Sequence, residues 1–373
     1  MKPYRVAIFL PSLRGGGAEK VMLKLASEFI SLGLSVDLIL AQKEGSYLSD
    51  LPDKIRVVNL NSYRVLFTLS KLVKYLKSEE PHTLIAALNH VNVVAILAKL
   101  LSGASTHIIV TVHNSLSATS SNAIRLNARV LPWIIHFLYP FADHIVAVSS
   151  GVADDLASVA KLNRSQIRVI YNPVVTDTLF AKIDEPVEHS WFGNGFPPVI
   201  LAVGRLTRQK DFESLIKAFD IARREHDLRL LILGEGEDRE KLESLAKDLG
   251  LQHFVDMPGF VNNPYAYMSR SAMFVLSSAW EGLPTVLIEA MATGTPVVST
   301  DCVCGPREIL ENGKYGPLVE VGNASDLAEA IKGILKSPTS SINLKQRAMD
   351  FSAQQSLSGY LSLLQADTSN LEV

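Results

Sequence analysis

The sequence predicts an α/β protein made of two doubly wound domains in tandem. Its 373 residues are about two to three times the usual length of one domain. Short apolar strands alternate with amphipathic helices, which is typical of parallel sheets covered by helices on both faces. This alternation stops at residues 174–197, where Pro186, Pro197 and Pro198 lie in a stretch without periodicity. We therefore place one domain on each side of that stretch.

The first domain, residues 1–173, begins with an apolar strand at residues 6–10. A helix is predicted next, because Val21, Leu25 and Phe29 fall on one arc of a helical wheel, opposite Lys20 and Lys24. Gly33 is a suitable residue to end this helix. Further strands are predicted at residues 36–40, 55–60, 83–88, 108–112, 145–148 and 167–170.

Residues 174–197 are predicted to form a linker, and residues 198–350 a second domain of the same kind. Its strands are predicted at residues 199–203, 230–233, 254–257, 273–276, 296–300 and 318–321. Doubly wound sheets bind ligands at the carboxyl ends of their strands, so we expect the two domains to face a central cleft. Residues 351–373 are predicted to form a helix that returns to the N-terminal domain and ends in a frayed tail.

Composition and charge exclude several classes of function. The 36 basic and 38 acidic residues are too balanced for a general affinity for nucleic acid. Residues 1–185 carry a net charge of +5 and residues 186–373 a net charge of −7, so an anionic surface should meet the first half. We find neither the apolar core of a signal peptide nor an apolar run near ~20 residues, and expect a cytoplasmic protein that at most binds a membrane face.

A glycine-rich loop follows the first strand. Gly15, Gly16 and Gly17 stand directly before the predicted helix, where backbone N–H groups can meet negative charge. A dinucleotide fingerprint would need a third glycine where this sequence has Lys20, so an NAD-dependent enzyme is disfavoured. A tight turn without a ligand remains the alternative.

The loop after the first strand of the second domain carries two cations, Arg205 and Lys210. A guanidinium fork and a point charge at this edge of a sheet suit a diphosphate, although a solvated loop would also contain such residues. Further on, Glu281 precedes a helix that Pro284 begins, and Glu289 lies within that helix among apolar residues. An unpaired carboxylate there would be costly to desolvate, which argues against an ordinary surface role for Glu289.

Glu281 and Glu289, with seven residues between them and Gly282, Leu283 and Pro284 following the first, resemble the signature of the retaining glycosyltransferases of family 4, which have the GT-B fold. The resemblance covers nearly the whole chain. It includes Gly16-Gly17-Ala18-Glu19, Thr111-Val112-His113-Asn114, residues 169–173, Gly204-Arg205-Leu206 with Lys210, and Leu233-Gly234-Glu235-Gly236. Residues 301–308 resemble a subgroup of bacterial enzymes that build lipid-linked or surface polysaccharides. The family frequently has Asp where this chain has Val175, to which we assign no function.

The resemblance implies a role for each matching residue. Arg205 and Lys210 would bind the diphosphate of a nucleotide-sugar donor, which would be UDP-linked and carry a hexose or an N-acetylhexosamine. Glu289 would accept hydrogen bonds from the ribose, Glu281 would contact the transferred sugar, and His113 would contact a sugar hydroxyl. The donor cradle would be completed by the glycine loops and the start of the second-domain helix, with Gly16, Gly17, Gly234, Gly236, Gly282 and Leu283. The acceptor would be a glycan, lipid-linked in the implied subgroup.

The implied reaction needs no cofactor beyond the donor and no metal, because the cations would neutralise the departing diphosphate. Cys302 and Cys304 lack the spacing and the partners of a zinc site. Two alternatives stay open: an epimerase or hydrolase of the same fold acting on a nucleotide sugar, and a non-catalytic protein that keeps the fold. The presence of Arg205, Lys210 and both glutamates argues against the second.

Residues 64–77 predict an amphipathic helix. One arc gathers Val65, Leu66, Leu69, Leu72, Val73 and Leu76, and the other gathers Arg64, Lys71, Lys74 and Lys77 with Phe67 and Tyr75. Aromatic residues among lysines suit an anionic membrane surface, while a solvated helix face is the alternative. With the positive charge of the first half, this helix predicts binding of the N-terminal domain to the cytoplasmic leaflet.

Overall fold

The computed structural model describes residues 4–117, 127–193 and 195–368. They divide between two units, one formed by Met1–Pro173 with Ala353–Val373 and the other by Val174–Ser352. All strands predicted from the sequence are present, with ends shifted by no more than two residues.

The first unit contains a seven-stranded parallel sheet in the order β3-β2-β1-β4-β5-β6-β7. Its strands are β1 Arg5–Leu10, β2 Ser35–Leu40, β3 Arg56–Asn59, β4 Thr83–Ala87, β5 His107–Val112, β6 His144–Ala147 and β7 Ile167–Val169. Its helices are α1 Gly17–Ser31, α2 Leu69–Glu79, α3 Asn89–Ser102, α4 Asn127–Leu138, α5 Ser150–Ala160 and, from the end of the chain, α14 Ala353–Thr368.

Burial explains why these strands read as continuous apolar runs. Helices cover both faces of a doubly wound sheet, so its central strands need apolar side chains in both directions. Val6 to Leu10 of β1 are accordingly fully buried. Helix α14 packs in this unit, where Tyr360 and Leu363 join the same apolar core as Phe29 of α1.

The segment predicted as one helix over residues 64–77 is divided in two. A turn of 3₁₀-helix, Val65–Thr68, precedes α2. Because a 3₁₀ turn has about 3.0 residues per turn rather than 3.6, the two pieces do not share one apolar arc. Leu66 is therefore exposed, and Tyr75, which the wheel places among the lysines, is buried and donates a hydrogen bond to the Asp37 carboxylate. The prediction for Tyr75 was wrong.

The second unit contains a six-stranded parallel sheet in the order β10-β9-β8-β11-β12-β13. Its strands are β8 Val199–Val203, β9 Arg229–Leu233, β10 Val255–Gly259, β11 Met273–Leu276, β12 Val297–Thr300 and β13 Leu318–Val319. Its helices are α6 Asp177–Lys182, α7 Phe212–Arg223, α8 Arg239–Asp248, α9 Pro264–Arg270, α10 Thr285–Thr293, α11 Pro306–Ile309, α12 Ala324–Lys336 and α13 Ser341–Ala348.

The residues predicted as a linker belong to the second unit and include a short helix, α6. Asn263 Nδ2 donates to the Lys182 carbonyl oxygen over 2.8 Å, and Ser269 Oγ donates to the Ile183 carbonyl oxygen over 3.3 Å. These bonds attach the segment to α9, so it is a packed part of the unit. None of the helices within the described residues is long and apolar enough to cross a membrane.

Candidate functional site

The candidate site of the second unit lies where the strand order reverses. Strands β8 and β11 are neighbours in the sheet, and the chain proceeds from them in opposite directions, to β9 and to β12. At such a switch point the loops that follow the two strands diverge and leave a crevice at the carboxyl edge. Arg205 and Lys210 lie on the loop after β8, and Glu281 lies on the loop after β11. The fold therefore brings together residues that are more than seventy positions apart.

Lys210 and Glu281 form a largely buried ion pair. The distance from Lys210 Nζ to Glu281 Oε1 is 2.6 Å, and the two side chains are 16% and 9% exposed. The same carboxylate oxygen accepts a second hydrogen bond, from Ser278 Oγ at 2.7 Å. Both partners of Glu281 thus hold Oε1, which fixes the plane of the carboxylate and leaves Oε2 as its other acceptor.

Backbone contacts between the two loops hold this pair in place. The Ala279 N–H donates to the Gln209 carbonyl oxygen over 2.8 Å, and Ser277 Oγ donates to the Lys210 carbonyl oxygen over 2.7 Å. Gln209 Nε2 also donates to the Trp280 carbonyl oxygen over 2.9 Å. The ion pair is consequently supported on both sides by direct bonds between its own loops.

Arg205 differs from Lys210 in its surroundings. Its side chain is exposed and forms no ion pair with any residue that the structure describes. Because Lys210 is compensated by Glu281, the uncompensated charges on this loop are those of Arg205 and of the exposed Arg208, and Arg205 is the one nearer in the chain to the end of β8. A planar guanidinium in this condition can bind a phosphate through two parallel hydrogen bonds.

Gly234 and Gly236 allow the loop after β9 to approach the loop after β8. A Cβ atom at Gly234 would lie 1.9 Å from the Gly204 carbonyl oxygen, and one at Gly236 would lie 2.2 Å from the Leu206 carbonyl oxygen. Gly234 also has a φ of +146°, which L side chains rarely adopt. Any larger residue at either position would push the two loops apart.

Glu289 lies on α10, which begins after Pro284 and ends at Gly294. Pro284 is the N-cap and the helix begins at Thr285, one position later than the start predicted at Pro284. Gly294 has the left-handed φ of +85° expected of a helix end. Glu289 is only 3% exposed, and Tyr265 Oη donates to its Oε1 over 3.4 Å. Gly282 and Leu283 lie immediately before the Pro284 cap. They lead into the N-terminus of α10, where the first N–H groups have no acceptor within the helix.

In the first unit, the glycine loop is already bound by its own glutamate. The N–H groups of Gly15 and Gly16 donate to Glu19 Oε2 over 2.9 and 3.0 Å. Glu19 is 7% exposed and belongs to the first turn of α1, which Gly17 begins. A ligand anion could therefore use the Gly17 N–H directly, but would have to compete with Glu19 for that of Gly16.

His113 follows β5 at the carboxyl edge of the first sheet and is 8% exposed. Its Nε2 lies 3.0 Å from Thr111 Oγ1, which is itself 2.9 Å from the Ala86 carbonyl oxygen. Burial lowers the pKa of His113 from its ordinary value of 6.5 to about 4, because the charged ring would lose its hydration. At neutral pH the ring is uncharged and a weak base, which suits hydrogen bonding better than general-base catalysis.

The structure adds Ser278 and Tyr265 to the residues that the sequence singled out. Ser278 lies three positions before Glu281 directly beyond a strand, so its position could have drawn attention, whereas nothing local connects Tyr265 with Glu289. Cys302 and Cys304 are buried free thiols, and burial raises the pKa of Cys302. Within residues 4–117, 127–193 and 195–368, no group of three His, Cys, Asp or Glu residues is arranged to hold a metal ion.

Solved structures with this architecture define the class of protein. The Anabaena protein HepE, solved in complex with UDP, superposes with a TM-score of 0.81 at 20% identity and covers 97% of this chain and 100% of its own. The lipopolysaccharide outer core galactosyltransferase WaaB, in its apo form, gives 0.74 at 23% identity and covers 97% and 99%. The two Rossmann-like units thus have the GT-B fold of glycosyltransferases.

Sequence comparison gives the family. Residues 15–178 match the model described as Glycosyltransferase Family 4, and residues 189–351 match Glycosyl transferases group 1. The chain is 32% identical over 344 residues to the N-acetylgalactosamine-N,N'-diacetylbacillosaminyl-diphospho-undecaprenol 4-alpha-N-acetylgalactosaminyltransferase of Campylobacter jejuni, covering 89% of this chain and 90% of that enzyme. It is 31% identical to the lipopolysaccharide 1,6-galactosyltransferase of Salmonella typhimurium over 52% of this chain and 53% of that one. The chain belongs to family 4 of the glycosyltransferases.

Proposed function

We propose that this glycosyltransferase moves a hexose or an N-acetylhexosamine from a UDP-sugar to a lipid-linked glycan, with retention of the anomeric configuration, in the assembly of a polysaccharide or glycoconjugate. The observation that carries the proposal is the Lys210–Glu281 ion pair beside the uncompensated Arg205 at the switch point of the second sheet. This arrangement combines a cationic position for a diphosphate with a carboxylate for a hydroxyl-bearing group.

The diphosphate would bind Arg205, Lys210 and the N-terminus of α10. The first N–H groups of that helix and its dipole favour an anion, and Gly282 and Leu283 bring the chain to this point. Three sources of positive potential would then oppose the charge that develops on the leaving group. We therefore expect turnover without a metal ion.

The transferred sugar would lie against Glu281. Because Lys210 and Ser278 both hold Oε1, we assign Oε2 to a sugar hydroxyl, which can donate the hydrogen that a carboxylate accepts. At the other end of the donor, the buried carboxylate of Glu289 would accept hydrogen bonds from the ribose hydroxyls. The UDP named in the HepE structure supports uridine as the nucleoside.

In the proposed reaction Glu281 is a positioning residue and not a nucleophile: Lys210 and Ser278 hold Oε1, and Oε2 accepts the hydrogen bond from the sugar hydroxyl. In the proposed step the bond between the anomeric carbon and the diphosphate oxygen breaks, and its electron pair leaves with UDP. The acceptor oxygen bonds to the anomeric carbon on the same face, and its proton passes to the departing diphosphate. The positive charge that develops on the sugar ring is brief and is balanced by that diphosphate.

The name of the Campylobacter relative, which acts on a diphospho-undecaprenol glycan, supports a lipid-linked acceptor. The first unit has a surface that fits such a substrate. A groove of about 530 Å³ is lined by Leu66, Phe67, Leu69, Ser70, Val73 and Leu101. Lys74 and Lys77 are exposed on the same helix α2. An apolar groove beside cations is suited to the boundary of an anionic bilayer, so we propose that this unit binds the cytoplasmic leaflet.

Product analysis tests the proposed reaction. The purified protein is incubated with bacterial lipid extract and a panel of UDP-, GDP- and ADP-sugars, and products are identified by mass spectrometry and by the anomeric coupling in NMR spectra. We expect an α-linked sugar on a lipid from a UDP-α-sugar donor. Arg205→Ala should lower the yield of product about 10²-fold or more, whereas Arg208→Ala, which removes an exposed arginine from the same loop, should not. Free sugar without glycolipid would favour the hydrolase, and an inverted linkage would refute retention.

Vesicle flotation tests the membrane proposal separately. We expect the protein to float with anionic vesicles at low salt, to float less at high salt, and to lose binding in Phe67→Ser. Phe260→Ser is the matched control, because Phe260 is 74% exposed in the second unit while Phe67 is 64% exposed. Equal failure to bind anionic and neutral vesicles at low salt would contradict the proposal and leave a soluble acceptor.

A further inference from the structure

The hydrogen bonds around His113 determine which of its ring nitrogens carries the proton. Thr111 is fully buried on β5, and its Oγ1 is 2.9 Å from the Ala86 carbonyl oxygen of β4 and 3.0 Å from His113 Nε2. A carbonyl oxygen can only accept a hydrogen bond, and a threonine hydroxyl has a single hydrogen to donate. The Thr111 hydrogen is therefore given to Ala86, and toward His113 the hydroxyl oxygen can only accept.

It follows that His113 Nε2 is the protonated nitrogen. A neutral imidazole carries one proton, so Nδ1 keeps its lone pair and is a hydrogen-bond acceptor. Nδ1 makes no hydrogen bond with any part of the chain that the structure describes. It can accept from a hydroxyl or an amide N–H, but a phosphate oxygen without a proton would meet it lone pair to lone pair.

We propose that Thr111 is a positioning residue that holds His113 in the Nε2–H tautomer, so that Nδ1 accepts a hydrogen bond from a hydroxyl group of the bound ligand and does not contact phosphate. The assignment of the tautomer stands on the first unit alone. The identity of the hydroxyl as that of a sugar rests on the proposed function.

Removing the Thr111 hydroxyl tests the tautomer of His113 separately from its contact with a sugar hydroxyl. In Thr111→Val the side chain keeps nearly the same shape, but the buried Nε2–H loses its acceptor, and a buried donor without a partner is unfavourable. The proton then gains nothing from residing on Nε2, and the Nδ1–H tautomer becomes populated. Thr111→Ser retains a hydroxyl at the same distance along the side chain and is the matched control.

The first readout is the tautomer itself, measured without ligand. In ¹H–¹⁵N spectra of the full chain labelled at histidine, the His113 signals are identified by their loss in His113→Gln. We expect Nε2 protonated in the wild type and in Thr111→Ser, and a large Nδ1–H population in Thr111→Val, while His253 on the second unit is unchanged. An Nδ1–H ring in the wild type, or an unchanged tautomer in Thr111→Val, would overturn the proposal.

The second readout is the kinetics of transfer. We expect kcat/KM to fall about tenfold or more in Thr111→Val and to recover in Thr111→Ser, because a ring with Nδ1 protonated cannot accept the hydroxyl hydrogen. A fall in Thr111→Val with an unaltered thermal midpoint separates this effect from unfolding. Full activity in Thr111→Val, once its tautomer has changed, would show that Nδ1 meets no ligand hydroxyl. If the wild type itself transfers no sugar, the proposed function is refuted. The tautomer of His113, which is measured without ligand, is not affected by that result.

Discussion

Replacing Lys210 by methionine should destabilise the second unit as well as stop transfer. Methionine keeps the length and the apolar stem of lysine but removes the ammonium group that lies 2.6 Å from Glu281 Oε1. A carboxylate only 9% exposed then remains with the Ser278 hydroxyl as its only partner among those of the wild type. Breaking one side of a buried ion pair typically costs 3–5 kcal/mol, and because Ser278 still holds the carboxylate we take the lower figure, about 3 kcal/mol.

This loss of free energy of unfolding should be observed as a lower midpoint of thermal unfolding. For domains of about 150–250 residues, 1 kcal/mol lowers the midpoint by about 2–4 °C, so Lys210→Met should lower that of the second unit by about 6–12 °C. The double variant Lys210→Met with Glu281→Gln removes the unpaired charge and should recover most of the loss. Arg205→Ala should leave the midpoint within about 2 °C, because the Arg205 side chain is exposed.

Scanning calorimetry of the ligand-free protein at neutral pH measures all three variants, and donor turnover is measured in parallel. Turnover should fall about 10²-fold or more in each, so that only the calorimetric result separates them. A wild-type midpoint in Lys210→Met would mean that the ion pair contributes no stability. A double variant as unstable as the single one would mean that the loss comes from packing rather than from an unpaired carboxylate.

Three further predictions concern the donor and the first unit. Glu289→Ala should raise the dissociation constant for UDP about ten- to a hundredfold in titration calorimetry, because charged hydrogen bonds contribute roughly 1.5–3 kcal/mol; unchanged affinity with lost turnover would reverse the assigned ends of the donor. Turnover should survive chelation by EDTA, and activity lost and then restored by magnesium or manganese would contradict this. His113 has a folded pKa of about 4, below its ordinary 6.5, so its unfolded form binds the proton first as the pH falls. The stability advantage of wild type over His113→Gln should therefore narrow by about 2 kcal/mol between pH 7.5 and pH 5, measured as urea unfolding of the first unit.

The sheets could be predicted because their signal is local. A strand of a doubly wound sheet is buried on both faces, so five or six apolar residues in a row identify it without knowledge of its neighbours. The end of α10 is equally local, since Gly294 takes a backbone conformation that other residues resist. The segment at residues 64–77 failed for a related reason. A helical wheel assumes one period throughout, and the 3₁₀ turn at Val65–Thr68 changes that period before α2 begins.

The hydrogen bonds of the site could not be predicted, because they join residues that only the fold brings together. Lys210 and Glu281 are 71 positions apart, and Tyr265 and Glu289 are 24 apart. Periodicity places each on an element but does not say which side chain faces which. The occupied glycine loop is a second example. The sequence indicates an anion site at Gly16, and only the structure reveals that Glu19 already accepts its N–H.

The charge balance at the switch point gives the two cations unequal tasks. The positive charge of Lys210 is largely neutralised by Glu281, and the ammonium group fixes the carboxylate that we assign to the sugar. Arg205, exposed and without an ion pair in the described chain, is the arginine to which we assign the net attraction for a doubly charged diphosphate. Lys210 would contact both the Glu281 carboxylate and the donor diphosphate. One ammonium group would therefore set the position of the sugar and that of the leaving phosphate. A lysine suits this position better than an arginine, because its compact charge can donate to a carboxylate and to a phosphate in different directions at once.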